Sequence, residues 1–231
     1  MGQAYGVVLY AHFHIYSTMR QAYGVVRKVI VEYKLQPDAI VSPHFCAPYP
    51  IELGIVRKVI TITDGNFAVT DVNGNLLFKV KEPLFSLSDK RILLDASDTP
   101  ILTLRENRVS LHDRWQVFRG KSTDQSDLVY TLKRSSMIQL MKPKLDVFLA
   151  HNKEMKECDF HVKGSWIDRS CVVYAGKSDV IVAQMHKKHT AQSILIGKSN
   201  FSVTVYPNVD FAFIVSLIVI LDDINREDSE D

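Results

Sequence analysis

The stretch from Phe211 to Leu221 constrains the fold of this chain more than any other, because ten of its eleven residues are apolar and only Ser216 interrupts them. It follows Asp210, a residue type that favours the position just before a helix. A helix with no polar face must be buried on every side. Because the stretch is also rich in β-branched residues, a buried strand stays open as an alternative. A closed β-barrel around a central helix would bury such a helix completely and remove open sheet edges.

The same stretch is too short to cross a membrane. As a helix it would be about 16 Å long, about half of the ~30 Å hydrocarbon core of a bilayer. Three scattered cysteines form no disulfide framework, and their odd number favours a reducing compartment. The sequence therefore predicts an intracellular protein without a transmembrane segment. The cytoplasm, the inner surface of the plasma membrane and the nucleus all stay open as its location.

Strand signals follow one another at short spacing between residues 51 and 206. Asn73-Gly74, which lies between two apolar runs, predicts a hairpin because both residues tolerate a positive φ. Short strands without intervening helices are typical of an antiparallel sandwich or barrel. The predicted strands are Ile60–Thr63, Phe67–Thr70, Leu76–Val80, Arg91–Asp95, Ile101–Arg105, Arg114–Arg119, Leu128–Lys133, Lys144–Leu149, Asp159–Lys163, Ser170–Tyr174, Val180–His186 and Phe201–Tyr206.

The first 45 residues differ from the rest of the chain. Residues 3–8 recur as residues 21–26, and four prolines between positions 37 and 50 mark an irregular linker. Two copies are too few for a repeat fold, which needs roughly three or more stacked units. The sequence thus predicts three parts: an N-terminal segment of unassigned role (1–45), a barrel domain (46–224) with a central helix at about 211–221, and an acidic tail (225–231).

Charge is spread unevenly along the chain, although 28 Lys and Arg against 26 Asp and Glu leave a net charge of only +2. Residues 51–220 carry 23 basic and 18 acidic side chains, whereas residues 221–231 carry one basic and six acidic ones. A basic body with an acidic end is typical of a protein that meets an anionic partner or shields a basic surface with its tail. A solvated polar tail is the simpler alternative.

Catalytic and metal-binding patterns are weak. The sequence contains no glycine-rich nucleotide loop and no nucleophile elbow. Two pairs of suitable zinc ligands, Cys158 with His161 and His186 with His189, fall near predicted strands, where residues three apart point to opposite faces. We therefore predict no catalytic residues, no metal site and no cofactor.

Basic residues near strand ends are the candidate binding site. Lysines at such positions often serve only to prevent edge-to-edge aggregation, but converging cations also bind phosphate oxygens. Aromatic side chains are sparse around them, so a phosphorylated headgroup is favoured over single-stranded nucleic acid. The candidate residues are Lys133, Arg134, Lys142, Lys144, Lys187 and Lys188.

From Cys46 to about Asp228 the chain resembles the plant LURP-one-related family. The resemblance implies a closed barrel of twelve antiparallel strands around a hydrophobic C-terminal helix, as in the tubby C-terminal domain and the phospholipid scramblases. The stretches that carry it are Cys46–Pro50, Thr63–Phe67, Asp71–Asn75, Phe78–Lys81, Trp115–Gly120, Ser170–Tyr174, Ile181–Gln184 and Tyr206–Phe211.

Function follows less directly from this resemblance, because a shared fold does not transfer activity. The acidic calcium-binding stretch and the membrane helix of scramblases have no counterpart here. Tubby-like proteins bind phosphoinositides through basic residues on the barrel wall, and the family is linked to plant defence. The resemblance therefore implies a non-enzymatic signalling or transcription-related module, tethered to a membrane, that binds an anionic lipid or a protein partner. A barrel that carries or processes a small ligand in an internal cavity, as a carrier or an enzyme, is the alternative, and the oligomeric state stays open.

Overall fold

The computed structural model describes residues 39–57, 67–81, 90–107, 114–134, 145–187 and 201–227. These residues form twelve strands and one long helix, α1 (Phe211–Glu227). Short 3-10 helices occur at Pro43–Phe45 and Gln125–Asp127. The strands are β1 (Ile51–Arg57), β2 (Phe67–Thr70), β3 (Leu76–Lys81), β4 (Lys90–Asp95), β5 (Pro100–Asn107), β6 (Arg114–Arg119), β7 (Leu128–Arg134), β8 (Leu145–Leu149), β9 (Phe160–Lys163), β10 (Val172–Ala175), β11 (Ile181–Lys187) and β12 (Phe201–Val205).

All twelve strands pair antiparallel with their neighbours in the chain, and β1 pairs with β12 to close the barrel. The predicted barrel fold is therefore confirmed. Eleven predicted strands match β2 to β12 to within two residues at either end, while the predicted strand Ile60–Thr63 lies outside the described residues. The sequence prediction missed β1, in which Gly54 occupies a strand interior, an unfavourable position for glycine.

Helix α1 fills the barrel along its axis. Every residue from Ala212 to Leu221 is buried, which confirms the central helix and excludes the alternative of a buried strand. The Ser216 hydroxyl, the one polar group in this stretch, donates to the Phe213 carbonyl and lies 2.8 Å from the Tyr130 hydroxyl. Burial raises the pKa of Tyr130, so the phenol stays neutral within the core. The one polar side chain between Ala212 and Leu221 is thus hydrogen-bonded inside the barrel.

Asp210 caps the helix, as predicted, and also holds the chain that leads into the barrel. One carboxylate oxygen accepts from the Phe213 N–H at 3.1 Å. The other accepts from the N–H groups of Val41 and Ser42 at 2.7 and 3.0 Å. Arg119 in turn donates to the Val41 carbonyl. The last residues of the N-terminal segment 1–45 are therefore hydrogen-bonded to the barrel domain.

We expect Asp210→Ala to lower the free energy of unfolding by about 3 kcal/mol. The change removes a helix cap, worth about 1 kcal/mol, and leaves buried N–H groups unpaired at about 1–3 kcal/mol each. Asp210→Asn keeps one carbonyl oxygen and should cost only about 1 kcal/mol. Urea denaturation followed by circular dichroism measures both, and equal losses for the two variants would contradict the double role of this carboxylate.

The other end of α1 differs from the prediction, because the helix continues to Glu227 rather than ending near Leu221. The predicted tail 225–231 therefore begins inside the helix. Asp222 and Asp223 are only 6% and 1% exposed, which contradicts a solvated tail at these positions. Arg91 on β4 forms an ion pair with Asp223, and this pairing offsets the burial of a carboxylate near a helix C-terminus.

The predicted hairpin at Asn73-Gly74 connects β2 and β3, but only Gly74 has a positive φ, of +84°. Asp71 instead organises the turn, since its side chain accepts from the backbone N–H groups of Asn73 and Asn75, both at 2.8 Å. The Asn75 side-chain amide also donates to Asp71 at 2.8 Å, and this hydrogen bond, together with the two backbone ones, holds the pKa of Asp71 below its usual range. An Asx turn thus replaces the predicted turn with two left-handed residues.

Gly164, at the turn between β9 and β10, is the position where a side chain is least tolerable. Its φ is +124°, and an added Cβ would lie 2.4 Å from the Ser170 carbonyl oxygen. We expect Gly164→Ala to cost about 3 kcal/mol in stability. Gly74→Ala is the matched control, because Gly74 also has a positive φ but no atom within 4 Å of the added Cβ; it should cost about 1 kcal/mol. Similar melting temperatures for the two variants would show that no close backbone contact exists at Gly164.

Candidate functional site

The barrel has two chemically different ends, which we name after helix residues. At the Asp210 end α1 begins, and at the Asp223 end it reaches Arg91 at the start of β4. Among the described residues, basic side chains are concentrated at the Asp223 end: Lys90, Arg91, Arg105, Arg114, Lys133, Arg134, Lys163, Arg169 and Lys187, against Glu106, Asp146, Asp168, Asp222 and Asp223.

Acidic side chains dominate the Asp210 end of the described barrel. Lys79 and Lys81, which lie on β3, both form ion pairs with Asp98 of this end, at 2.8 and 3.1 Å. The acidic residues here are Glu52, Asp71, Asp95, Asp98, Asp124, Asp127, Glu154, Glu157, Asp159, Asp179 and Asp210, and the other basic ones are Arg119, Lys121, Lys153, Lys156 and Lys177. This polarity complements the dipole of α1, whose positive N-terminus lies at the acidic end.

Three of the six predicted site residues belong to the described part of the chain, and all three lie at the Asp223 end. Lys133 and Arg134 end β7, and Lys187 ends β11. Three strands separate β7 from β11, so Lys187 is not a neighbour of the other two. Lys187 instead approaches Asp168 at 4.0 Å. The predicted residues Lys142, Lys144 and Lys188 lie outside the described residues.

Lys133 and Arg134 do not act together, because adjacent residues of a strand point to opposite faces. Arg134 pairs with Leu145 and shares the face of the buried core residue Leu132. Lys133 lies on the outer face, where its ammonium group is 5.2 Å from the centroid of the Phe148 ring. Only Lys133 of this predicted pair is therefore presented on the outer wall of the barrel.

Arg114 on β6 is the cation that lies directly opposite Lys133 across the strands. Partial burial, and then repulsion by Arg114, lower the pKa of Lys133. The Arg114 Nε atom is buried and has no hydrogen-bond partner within the described ranges. Like charges opposite each other on neighbouring strands destabilise a sheet, so the Arg114–Lys133 pair is a place where an anion would relieve repulsion.

Polar and aromatic groups continue the row beyond this pair. Asp146 on β8 lies opposite Lys133, and His161 on β9 lies opposite Asp146. The His161 ring stacks on Tyr174 with centroids 4.9 Å apart, and the ammonium group of Lys163 lies 5.3 Å from the Tyr174 centroid. At the basic end, the outer wall from β6 to β10 thus carries cations and aromatic rings together with the Asp146 carboxylate.

Sequence reasoning missed Arg114 as a site residue, because its importance depends on strand register. A β-bulge between Val117 and Phe118 shifts the pairing of β6 with β7. A shift of one residue moves side chains to the other face, and a bulge of this kind has no sequence signature in a single chain. The sequence offers only a weaker indication that the two residues are close: Arg114 begins one predicted strand and Lys133 ends the next.

The histidines that were considered as zinc ligands have other partners. The His161 Nδ1 atom lies 2.5 Å from the Gly176 carbonyl oxygen, and His186 contacts the Thr204 hydroxyl at 3.0 Å. His189 lies outside the described residues. No group of three potential metal ligands occurs in the part of the chain that the structure describes. Similarly, none of the described helices is long and apolar enough to cross a membrane.

Comparison with known proteins gives one consistent family. The model of the LURP-one-related family matches residues 51–222. Protein LURP-one-related 10 of Arabidopsis thaliana is 93% identical over 193 residues, which cover 84% of this chain and all of that protein. Protein LURP1 of the same plant is 61% identical over 83% of this chain and 92% of its own length. The crystal structure of an Arabidopsis thaliana protein, 64% identical, matches 80% of this chain and 98% of its own with a TM-score of 0.64.

Proposed function

This chain belongs to the LURP-one-related family, and we propose that it is a non-enzymatic module that binds the anionic headgroup of a phospholipid at the basic end of its barrel. The observation that carries the proposal is the Arg114–Lys133 pair, in which two cations face each other on the outer wall. A phosphate group between them would accept hydrogen bonds from both and remove their repulsion. A phosphorylated headgroup supplies such oxygens at the surface of a membrane.

The polarity of the barrel supports the same proposal. Basic side chains gather at the Asp223 end and acidic side chains at the Asp210 end. A charge distribution of this kind steers a protein toward an anionic surface and orients it on arrival. The barrel would therefore approach a negatively charged membrane with its Asp223 end first.

Packing of the interior favours a module over a carrier of small ligands. Helix α1 occupies the barrel axis, and Phe213 packs between Tyr130 and Phe160 with ring centroids 5.3 and 4.9 Å away. A ligand in this interior would have to displace side chains that are fully buried. Binding on the outer wall needs no such displacement. The role we propose for this module, a signalling or transcription-related factor tethered to membranes and acting in plant defence, is supported by the family resemblance and not by the packing.

Vesicle co-sedimentation tests the proposal. The full chain should bind vesicles of phosphatidylcholine that contain a phosphoinositide more tightly than vesicles of phosphatidylcholine alone. Each Lys or Arg near such a surface contributes about 1 kcal/mol, and the attraction should weaken as salt shortens the screening length below about 10 Å. Equal binding to both kinds of vesicle, or binding that salt does not change, would contradict a headgroup site.

A further inference from the structure

Ile167 is an exposed apolar side chain at the basic end of the barrel. It is 83% exposed, the highest value among the large hydrophobic residues that the structure describes. The others with high exposure, Tyr49, Val72, Leu76 and Ile181, lie at the acidic Asp210 end. An anionic membrane would repel that acidic end. Ile167 is therefore the described apolar group that the proposed orientation would bring to a bilayer.

The turn from Gly164 to Ser170 holds Ile167 in this position through a network of hydrogen bonds. The Arg169 N–H donates to the Trp166 carbonyl, and the Ser170 N–H donates to the Ser165 carbonyl, both at 3.0 Å. The Ser165 hydroxyl accepts from the Asp168 N–H at 3.1 Å. These hydrogen bonds connect residues before Ile167 to residues after it and so fix the backbone of the turn. Exposing the Ile167 side chain to a membrane would therefore need no rearrangement of the backbone.

The residues beside Ile167 anchor the turn to the barrel. Trp166 is 6% exposed and packs edge-on against Phe201 of β12. The Arg169 guanidinium lies over both rings, 4.5 and 4.6 Å from their centroids. A buried tryptophan next to an exposed isoleucine means that the turn keeps one apolar residue in the core and presents the next one outward.

We propose that Ile167 inserts into the interfacial region of an anionic membrane when the basic end of the barrel binds headgroups. The inference rests on the proposed function and adds a second, apolar component to it. Basic residues draw the barrel to the surface, and insertion of an apolar side chain then adds the hydrophobic contribution that peripheral proteins use. Lys163 and Lys187 end β9 and β11 at the same end of the barrel as this turn, and Lys187 also approaches Asp168 of the turn at 4.0 Å.

Tryptophan scanning with bromine-labelled lipids tests this inference. Ile167→Trp is compared with Val72→Trp, a matched control, because Val72 is 75% exposed at the opposite end. Trp115 and Trp166 also fluoresce in both variants, and the quenching of these two residues is measured separately with the unmodified protein. On phosphoinositide vesicles with brominated acyl chains, we expect additional quenching for Ile167→Trp and none for Val72→Trp. Ile167→Asp should also weaken vesicle binding about tenfold, whereas Val72→Asp should not.

The outcomes separate the two proposals. If the protein binds anionic vesicles but Ile167→Trp is quenched no more than Val72→Trp, insertion at this turn is wrong and the headgroup site survives. Stronger quenching of Val72→Trp would reverse the orientation and overturn the inference in the same way. If none of the proteins binds phosphoinositide vesicles, both the headgroup site and the insertion fail. Circular dichroism spectra identical to that of the parent verify that each variant is folded.

Discussion

The variant Ile218→Asp is expected not to fold. Ile218 lies in the middle of α1 and is 2% exposed, and its neighbours along the helix from Ala212 to Leu221 are buried as well. A carboxylate at this point would lose its water without gaining a partner, at a cost of several kcal/mol. That cost is comparable with the whole stability of a domain, about 5–15 kcal/mol. The expected result is insoluble protein, or a far-ultraviolet spectrum without the native strand signal.

Two milder substitutions make this expectation quantitative. Ile218→Val should cost about 1 kcal/mol and Ile218→Ala about 2–5 kcal/mol, since both remove apolar volume without adding charge. Urea denaturation measures both values. A soluble Ile218→Asp protein with the melting temperature of the parent would show that α1 is not the centre of the core.

The second expectation is that Arg114→Glu weakens binding to phosphoinositide vesicles without lowering the stability of the fold. The new carboxylate would lie opposite Lys133 and replace a repulsive pair with an attractive one, worth about 0.2–1 kcal/mol to the sheet. The melting temperature should therefore stay the same or rise. Binding to phosphoinositide vesicles should weaken at least tenfold, because the change removes one cation and neutralises its neighbour, at about 1 kcal/mol for each charge.

Lys121→Glu is the matched control for this experiment. It makes the same change in net charge, but Lys121 lies exposed in the connection between β6 and β7 at the Asp210 end. Its vesicle affinity should remain within about threefold of the parent. If Lys121→Glu and Arg114→Glu weaken binding equally, net charge rather than a defined site governs the interaction. If Arg114→Glu also destabilises the fold, the pair has a structural role that the repulsion does not explain.

Much of the architecture could be predicted because its determinants are local. Alternating apolar residues predicted the strands, and the apolar stretch behind Asp210 predicted a buried segment, either a strand or a helix that a barrel would enclose. The misses are non-local. Strand β1 contains Gly54, which disfavours a strand, and it is stabilised by pairing with β2 and β12 on its two sides. Likewise, Asp222 and Asp223 were interpreted as part of a solvated acidic end, because nothing in a single sequence shows that Arg91 forms an ion pair with Asp223.

The candidate site was predicted in outline only. Lys133 and Lys187 do lie at one end of the barrel, because alternate strand ends meet there in an antiparallel barrel. Arg114 was missed, since its position opposite Lys133 depends on the bulge in β6–β7 pairing. The difference in charge between the acidic Asp210 end and the basic Asp223 end could not be predicted either. It arises from sorting acidic turns and basic turns to opposite ends, which requires the number and direction of every strand.

Locating the bound headgroup by nuclear magnetic resonance tests the central claim most directly. A soluble inositol phosphate is titrated into the isotope-labelled full chain, and backbone amide shifts are followed. The account predicts shifts centred on Arg114, Lys133 and their neighbours on β6 to β8, which disappear in Arg114→Glu and persist in Lys121→Glu. Shifts centred on the Asp210 end, or on the interior residues of α1, would contradict a headgroup site on the basic end of the barrel.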